Sequence, residues 1–193
     1  LMNGVLFKGK RVATYPGGAD AMPNPNATKT GYYLRKFLNE NVNIQTGGGS
    51  DGHVVPLFRL AEIYLNYAEA LNEYDPTNPD IAVYLNKIRE RVSLPDVPSG
   101  LTQEQMRTLI HHERRVELAF EEHRFWDVRR WKVASSTLGA PVKGVKITQD
   151  DAGNFTYSPV QVEQRVFQPK MYWYPIPQSE TLKLHHWEQN KGW

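Results

Sequence analysis

The sequence predicts a mainly α-helical fold of antiparallel helical hairpins with loop-rich extensions and a small β-hairpin, and three observations carry that reading. Apolar residues recur at three- and four-residue intervals through 57–74, 79–92 and 102–133, the spacing of one helix face. Helix-ending signals fall between these stretches: Asp75-Pro76, Leu94-Pro95, then Gly139 with Pro141. Alternation of apolar and polar residues, the strand period, shows only after Lys143, in GVKITQ and NFTYSPV on either side of Gly153.

Residues 1–56 read as a loop-rich connecting segment. YPGGAD, MPNPNATKTG and TGGGSDG interrupt short strand-like pieces at 4–7 and 32–37, which leaves room for one hairpin. The first helix carries Leu57, Leu60, Ala61, Tyr64, Leu65, Ala68 and Leu71 on its apolar side. Asn78 is placed to cap the second and Pro79 to fill its first position, and Ile81, Tyr84, Leu85, Ile88 and Val92 form its stripe up to Ser93. Two helices joined by a short turn within about 37 residues match the tetratricopeptide-type hairpin in geometry, though not in consensus. Thr102 and Gln105 form a capping box that opens the third helix. Its buried face reads Met106, Leu109, Ile110, Val116, Ala119, Phe120 and His123, and Leu118, Phe125 and Val128 add a second. The expected core is Leu60, Tyr64, Leu85, Ile88, Leu109, Ile110, Val116 and Phe120. Residues 57–193 are thus a helical region with a proline-punctuated aromatic tail, forming one globular unit with the segment before it.

Composition removes several function classes. With 23 basic and 21 acidic residues, net charge +2 and no run of five like charges, the chain lacks the electrostatic footprint of a nucleic-acid binder. It has no cysteine, hence no disulfide framework, no thiol nucleophile and no thiol to carry a lipid. No apolar run approaches the roughly 20 residues of a transmembrane segment. Serine-hydrolase chemistry lacks its G-x-S-x-G elbow, and TGGGSDG lacks the lysine of a phosphate loop. The neighbours His111-His112 and His185-His186 point in different directions, so no metal and no cofactor is expected. Asn26 and Asn154 stand in N-x-T patterns, too short to be informative.

The densest chemistry lies in ERRVELAFEEHRFWDVRRW at 113–131, where five arginines and five carboxylates share a stretch with two tryptophans. Glu113, Glu117 and Glu121 sit four residues apart, a spacing that repels unless cations answer it. Arg114 with Glu117, Glu121 with Arg124, and Asp127 with Arg130 are three apart, so the charges are expected to pair within the helix and serve architecture. Trp126 and Trp131 are expected in the core. Among the 22 aromatic residues, Tyr15, Tyr32, Tyr157 and Trp187 stand in loop-like polar contexts and are the candidates for stacking on a sugar ring.

That stretch resembles the signature of the SusD/RagB family, cell-surface glycan-binding lipoproteins of Bacteroidetes, whose usual form is roughly ERR-x-ELAFE-G-HRFWDLRRW. FRLAEIYLNYAEALNE at 58–73, LNKIRERVSLP at 85–95, YPIPQSE at 174–180 and the closing QNKGW follow in the family's order. Glu113, Arg114, Glu117, Arg124, Trp126, Asp127 and Arg130 are the signature positions. The sequence departs from the pattern at Glu122, where glycine is usual, at Val92-Ser93 for Ala-Gly, and at Lys191 for proline. A non-glycine residue at positive φ costs on the order of 1 kcal/mol, so an unbroken or differently broken helix is expected at Glu122. The resemblance implies the C-terminal portion of a longer, non-catalytic protein held at the outer-membrane surface by an N-terminal lipid. It further implies binding of oligosaccharide and its delivery to a TonB-dependent SusC-like transporter, with the principal glycan platform formed largely by upstream loops. A glycoside hydrolase and a helical-repeat interaction scaffold are the alternatives.

Overall fold

A computed structural model describes residues 6–7, 10–25, 27–34, 36–37, 56–183 and 186–193; the 46–52 loop, Asn26 and His185 lie outside them. The chain divides into two units, residues 37–127 and residues 1–36 with 128–193. Antiparallel helices dominate the first: α1 (Leu60–Tyr74), α2 (Asp80–Glu90) and α3 (Gln103–Glu117). α1 packs on both of the others, the tetratricopeptide-like hairpin being α1 with α2. The shared core takes Leu65 and Ala68 from α1, Ile81, Leu85 and Ile88 from α2, Ile110 from α3, and Leu118 just beyond it. Tyr64 and Leu109 pack on its margin. Burying one such leucine or isoleucine contributes about 1.5–3 kcal/mol.

Local chemistry sets the helix ends. α1 begins at Leu60, not Leu57, because Arg59 is extended at φ −145° and holds its guanidinium on Glu117 and Glu121, so Leu57 and Phe58 stay outside the helix. The Asn78 side-chain oxygen accepts from the Asp80 N–H at 3.0 Å, capping α2. Its far end turns at Ser93, φ +56°, where the Leu94 N–H returns to the Arg89 carbonyl. At α3 the capping box forms, with the Gln105 N–H on Thr102 Oγ1 and the Thr102 N–H on Gln105 Oε1.

The expected single helix over 102–133 is two. After Glu117 the chain turns through Phe120, φ +64°, and Glu122, φ +66°, and resumes as α4 (His123–Arg130). The break therefore does fall at Glu122 in the left-handed region, contrary to the expectation drawn from its lack of a glycine. Re-aiming the chain also changes which residues are covered: Leu118 and Val128 are buried, while Val116 and Phe120 are 60% and 65% exposed. Leu60 is likewise exposed, since the core stripe of α1 runs through Leu65 and Ala68. Trp126, expected in the core, is 60% exposed, its ring edge-to-face with Phe125 at 5.0 Å.

The second unit opens with a short antiparallel pair, β1 (Leu6–Phe7) and β2 (Lys10–Arg11), and continues irregularly to residue 34. The strand expected at 32–37 is absent from its described residues; Phe37 instead turns at φ +71°. α5 (Ala134–Leu138) leads into the antiparallel hairpin β3 (Val142–Gln149) and β4 (Phe155–Glu163), with Ile147 opposite Tyr157 and Val145 opposite Pro159. Proline is tolerated there because the Val145 N–H points away from β4 and donates to the Thr30 carbonyl at 2.9 Å, so the pair exchanges no ladder bond. Two glycines let the 28–31 loop approach so closely: a Cβ on Gly31 would stand 2.5 Å from the Val145 carbonyl oxygen, and one on Gly144 2.8 Å from that of Thr30. A 3-10 turn at Pro169–Tyr172 and α6 (Gln178–Thr181) follow.

Candidate functional site

The charged signature is wired across elements. Arg114 Nε donates to Asp127 Oδ2 at 2.7 Å and its Nη1 to Asn66 Oδ1 at 2.5 Å, joining α3 to α4 and α1. Glu113 pairs with Arg89 of α2. Glu117 takes Arg59 at 2.5 Å and Arg91 at 2.7 Å, and Glu121 takes Arg59 at 2.6 Å. Arg114 thus pairs with Asp127 across the helix break, and the acidic stripe pairs with arginines from outside the signature. Arg59 just before α1, Arg89 in α2 and Arg91 just after it answer the acidic stripe. Burial opposes the Arg59 charge, but hydrogen bonds to Glu121 and Glu117 outweigh it and lift its pKa above the ordinary value. Arg124 goes the other way: burial, then the neighbouring Arg115, hold it below the usual arginine range, with Asp127 opposing. Arg130 is exposed, its guanidinium over the Trp131 ring at 5.3 Å.

Sequence reasoning missed Arg59, Arg89 and Arg91. They lie 58, 24 and 26 residues from the carboxylates they bind, and only the helix crossing makes them neighbours. An arginine is paired to each of Glu113, Glu117 and Glu121, so all three carboxylates of the stripe are engaged in ion pairs. Among the described residues no group of three histidine, aspartate or glutamate side chains converges on a point.

The stacking candidates divide. Tyr15 packs on Phe155 with ring centroids 5.4 Å apart, and Tyr157, two residues along β4, shares the face of Phe155. Tyr157 is 58% exposed and Phe155 43%. Beside them the 14–31 loop and the hairpin enclose a cleft of about 250 Å³, lined by Thr14, Pro16, Thr28, Lys29, Val145 and Ile147 among others. That is slightly below the roughly 300–1,000 Å³ of ordinary small-molecule sites. Tyr32 follows the lining residue Gly31, its N–H on Thr30 Oγ1 at 3.4 Å. Trp187 stands in the C-terminal tail and does not line the cleft. Phe155 completes the aromatic group and was not singled out; its place in NFTYSPV on a strand was the available signal.

The sequence profile of the SusD family matches residues 6–193. SusD-like protein P2 of Formosa agariphila is 36% identical over 126 residues, 62% of this chain and 24% of the relative. SusD-like protein P25 of the same organism is 40% identical over 106 residues, covering 52% and 19%. The crystal structure of a SusD-like protein of Bacteroides fragilis superposes with a TM-score of 0.61 at 36% identity, over 71% of this chain and 25% of that one. A SusD superfamily protein of Bacteroides vulgatus shares the fold at a TM-score of 0.52 and 24% identity. The chain spans about a quarter of the length of the first of these relatives. With the four sequence blocks in order, the hairpin of α1 and α2 beneath the signature, and a profile match along nearly the whole length, the chain belongs to the SusD/RagB family.

Proposed function

We propose that this chain is part of a cell-surface protein that binds oligosaccharides and delivers them to a TonB-dependent SusC-like transporter for uptake, without cleaving them. The observation that carries the reading is the match of the SusD family profile to residues 6–193. The exposed rings of Tyr157 and Phe155 beside a small cleft supply flat apolar faces for a pyranose ring, and Thr14, Thr28 and Lys29 supply hydroxyl partners. The non-catalytic part of the reading is supported by the arginines that occupy the three signature glutamates. An outer-membrane location with a lipid anchor follows from the family; no helix among the described residues is long and apolar enough to cross a membrane.

Calorimetry against a panel of neutral and charged oligosaccharides tests binding. A dissociation constant in the micromolar to millimolar range for at least one glycan, with no new reducing ends released from it, is the expected result. Release of reducing ends that stops on substitution of Glu113, Glu117 or Glu121 would replace this reading with a glycoside hydrolase. Co-purification of a transporter with the tagged protein from outer membranes tests the partner.

A further inference from the structure

We propose that the aromatic surface formed by Tyr172, Trp173 and Trp193, with Lys132 and Lys170 set upon it, is a subsite for an anionic sugar unit, one bearing a carboxylate or a sulfate. This rests on the glycan-binding reading and specifies its substrate class. Trp173 and Trp193 are 66% and 44% exposed. They are held together, for the Trp193 indole N–H donates to the Lys170 and Trp173 carbonyls, each at 3.1 Å. The Lys132 ammonium stands 5.0 Å from the Tyr172 ring centre and 5.3 Å from that of Trp173, and the Lys170 ammonium 4.4 Å from that of Trp193. Neither lysine has a carboxylate partner among the described residues.

Anchoring of the tail does not require these charges. The Gln189 amide already clasps both the N–H and the carbonyl of Ile176, at 2.7 and 2.8 Å, and Asn190 Nδ2 donates to the Tyr174 carbonyl at 2.6 Å. With the backbone held by amides and the indole, two unneutralised ammonium groups beside half-open rings leave a positive field where a sugar face would stack. A neutral pyranose uses the rings alone. A uronate or sulfated unit uses the rings for its C–H face and the ammonium groups for its anion, so charge complementarity selects the anionic ligand.

The test compares the protein's affinity for oligogalacturonate with that for its fully methyl-esterified form, and for κ-carrageenan oligosaccharides with that for their desulfated form. The charged member of at least one pair is expected to bind about tenfold tighter in low salt, with the preference shrinking at 0.5 M NaCl. The pair that shows the preference distinguishes carboxylate from sulfate. Lys132→Gln with Lys170→Gln is expected to abolish it while leaving the neutral member unchanged, and Lys132→Arg with Lys170→Arg to keep it. Equal affinity within both pairs overturns the proposal and leaves glycan binding standing; no affinity for any glycan, by protein with an intact melting transition, overturns both. A preference that survives the double glutamine variant places the anion elsewhere and overturns this subsite. If that variant does not fold, salt independence of the wild-type preference overturns the proposal by itself.

Discussion

Arg114 Nε and Asp127 Oδ2 lie 2.7 Å apart although thirteen residues separate them, and both residues are buried, at 5% and 4% exposure. On a continuous helix that separation would span roughly 20 Å. The left-handed turn through Phe120 and Glu122 closes the distance, so the ion pair and the helix break require one another. Asp127→Ala is expected to leave the Arg114 charge buried without its counter-ion and to cost about 3–5 kcal/mol, read from urea unfolding. Arg114→Met with Asp127→Leu should recover much of that loss; a single-variant cost below about 1 kcal/mol would show that the pair is idle.

Glu122 occupies φ +66° with an exposed side chain. Glu122→Gly is expected to stabilise the protein by about 1 kcal/mol, since glycine adopts that conformation without a Cβ penalty. Within a continuous helix the same change would instead cost about 1 kcal/mol, so the sign of the shift in melting temperature decides.

Core and rim should separate cleanly. Leu65→Ala or Ile110→Ala, each removing a fully buried side chain, is expected to cost about 2–5 kcal/mol. Phe120→Ala, at 65% exposure, should cost less than about 1 kcal/mol in the same unfolding series.

On the acid side, the Arg107 hydrogen bond holds the Glu73 carboxyl below its usual value near 4.5. A depressed folded-state pKa contributes stability that is present above the unfolded value and lost as pH falls through the folded one. Arg107→Gln is therefore expected to lower stability slightly at pH 7, and the gap to wild type should narrow below about pH 4.5. Denaturant titrations at pH 7 and pH 3 compare the two, and a constant gap would show that the pair is not coupled to folding.

Tyr157→Ala should weaken binding of a neutral oligosaccharide severalfold without lowering the melting temperature, because its ring is exposed on a two-stranded hairpin. Calorimetry beside a thermal melt separates the two readouts. Unchanged affinity would remove the hairpin from the glycan-binding surface.

The helices were legible from the sequence because their signals are local. Period, the Asn78 cap, the Thr102–Gln105 capping box and the proline stops all act within a turn or two of chain, and α1, α2 and α3 begin or end within a few residues of where those signals place them. The family was legible for the same reason, through contiguous blocks. For the stacking candidates, sequence supplied exposed tyrosines but not their company: Tyr15 meets Phe155 across 140 residues of chain.

Tertiary structure decided the rest. Periodicity assigned Val116 and Phe120 to the core because it carries a helix phase forward unbroken, and two positive φ values reset that phase. Nothing in the residue type at Glu122 announces such a value; with Arg114 and Asp127 both buried, its cost of about 1 kcal/mol is small beside the roughly 3–5 kcal/mol of leaving either charge without the other. The same holds for the charges. Their number and spacing made pairing necessary, since buried ions must be compensated. Which arginine answers which carboxylate is set by how α1, α2 and α3 cross, and that is a property of the packed fold rather than of any one stretch of sequence.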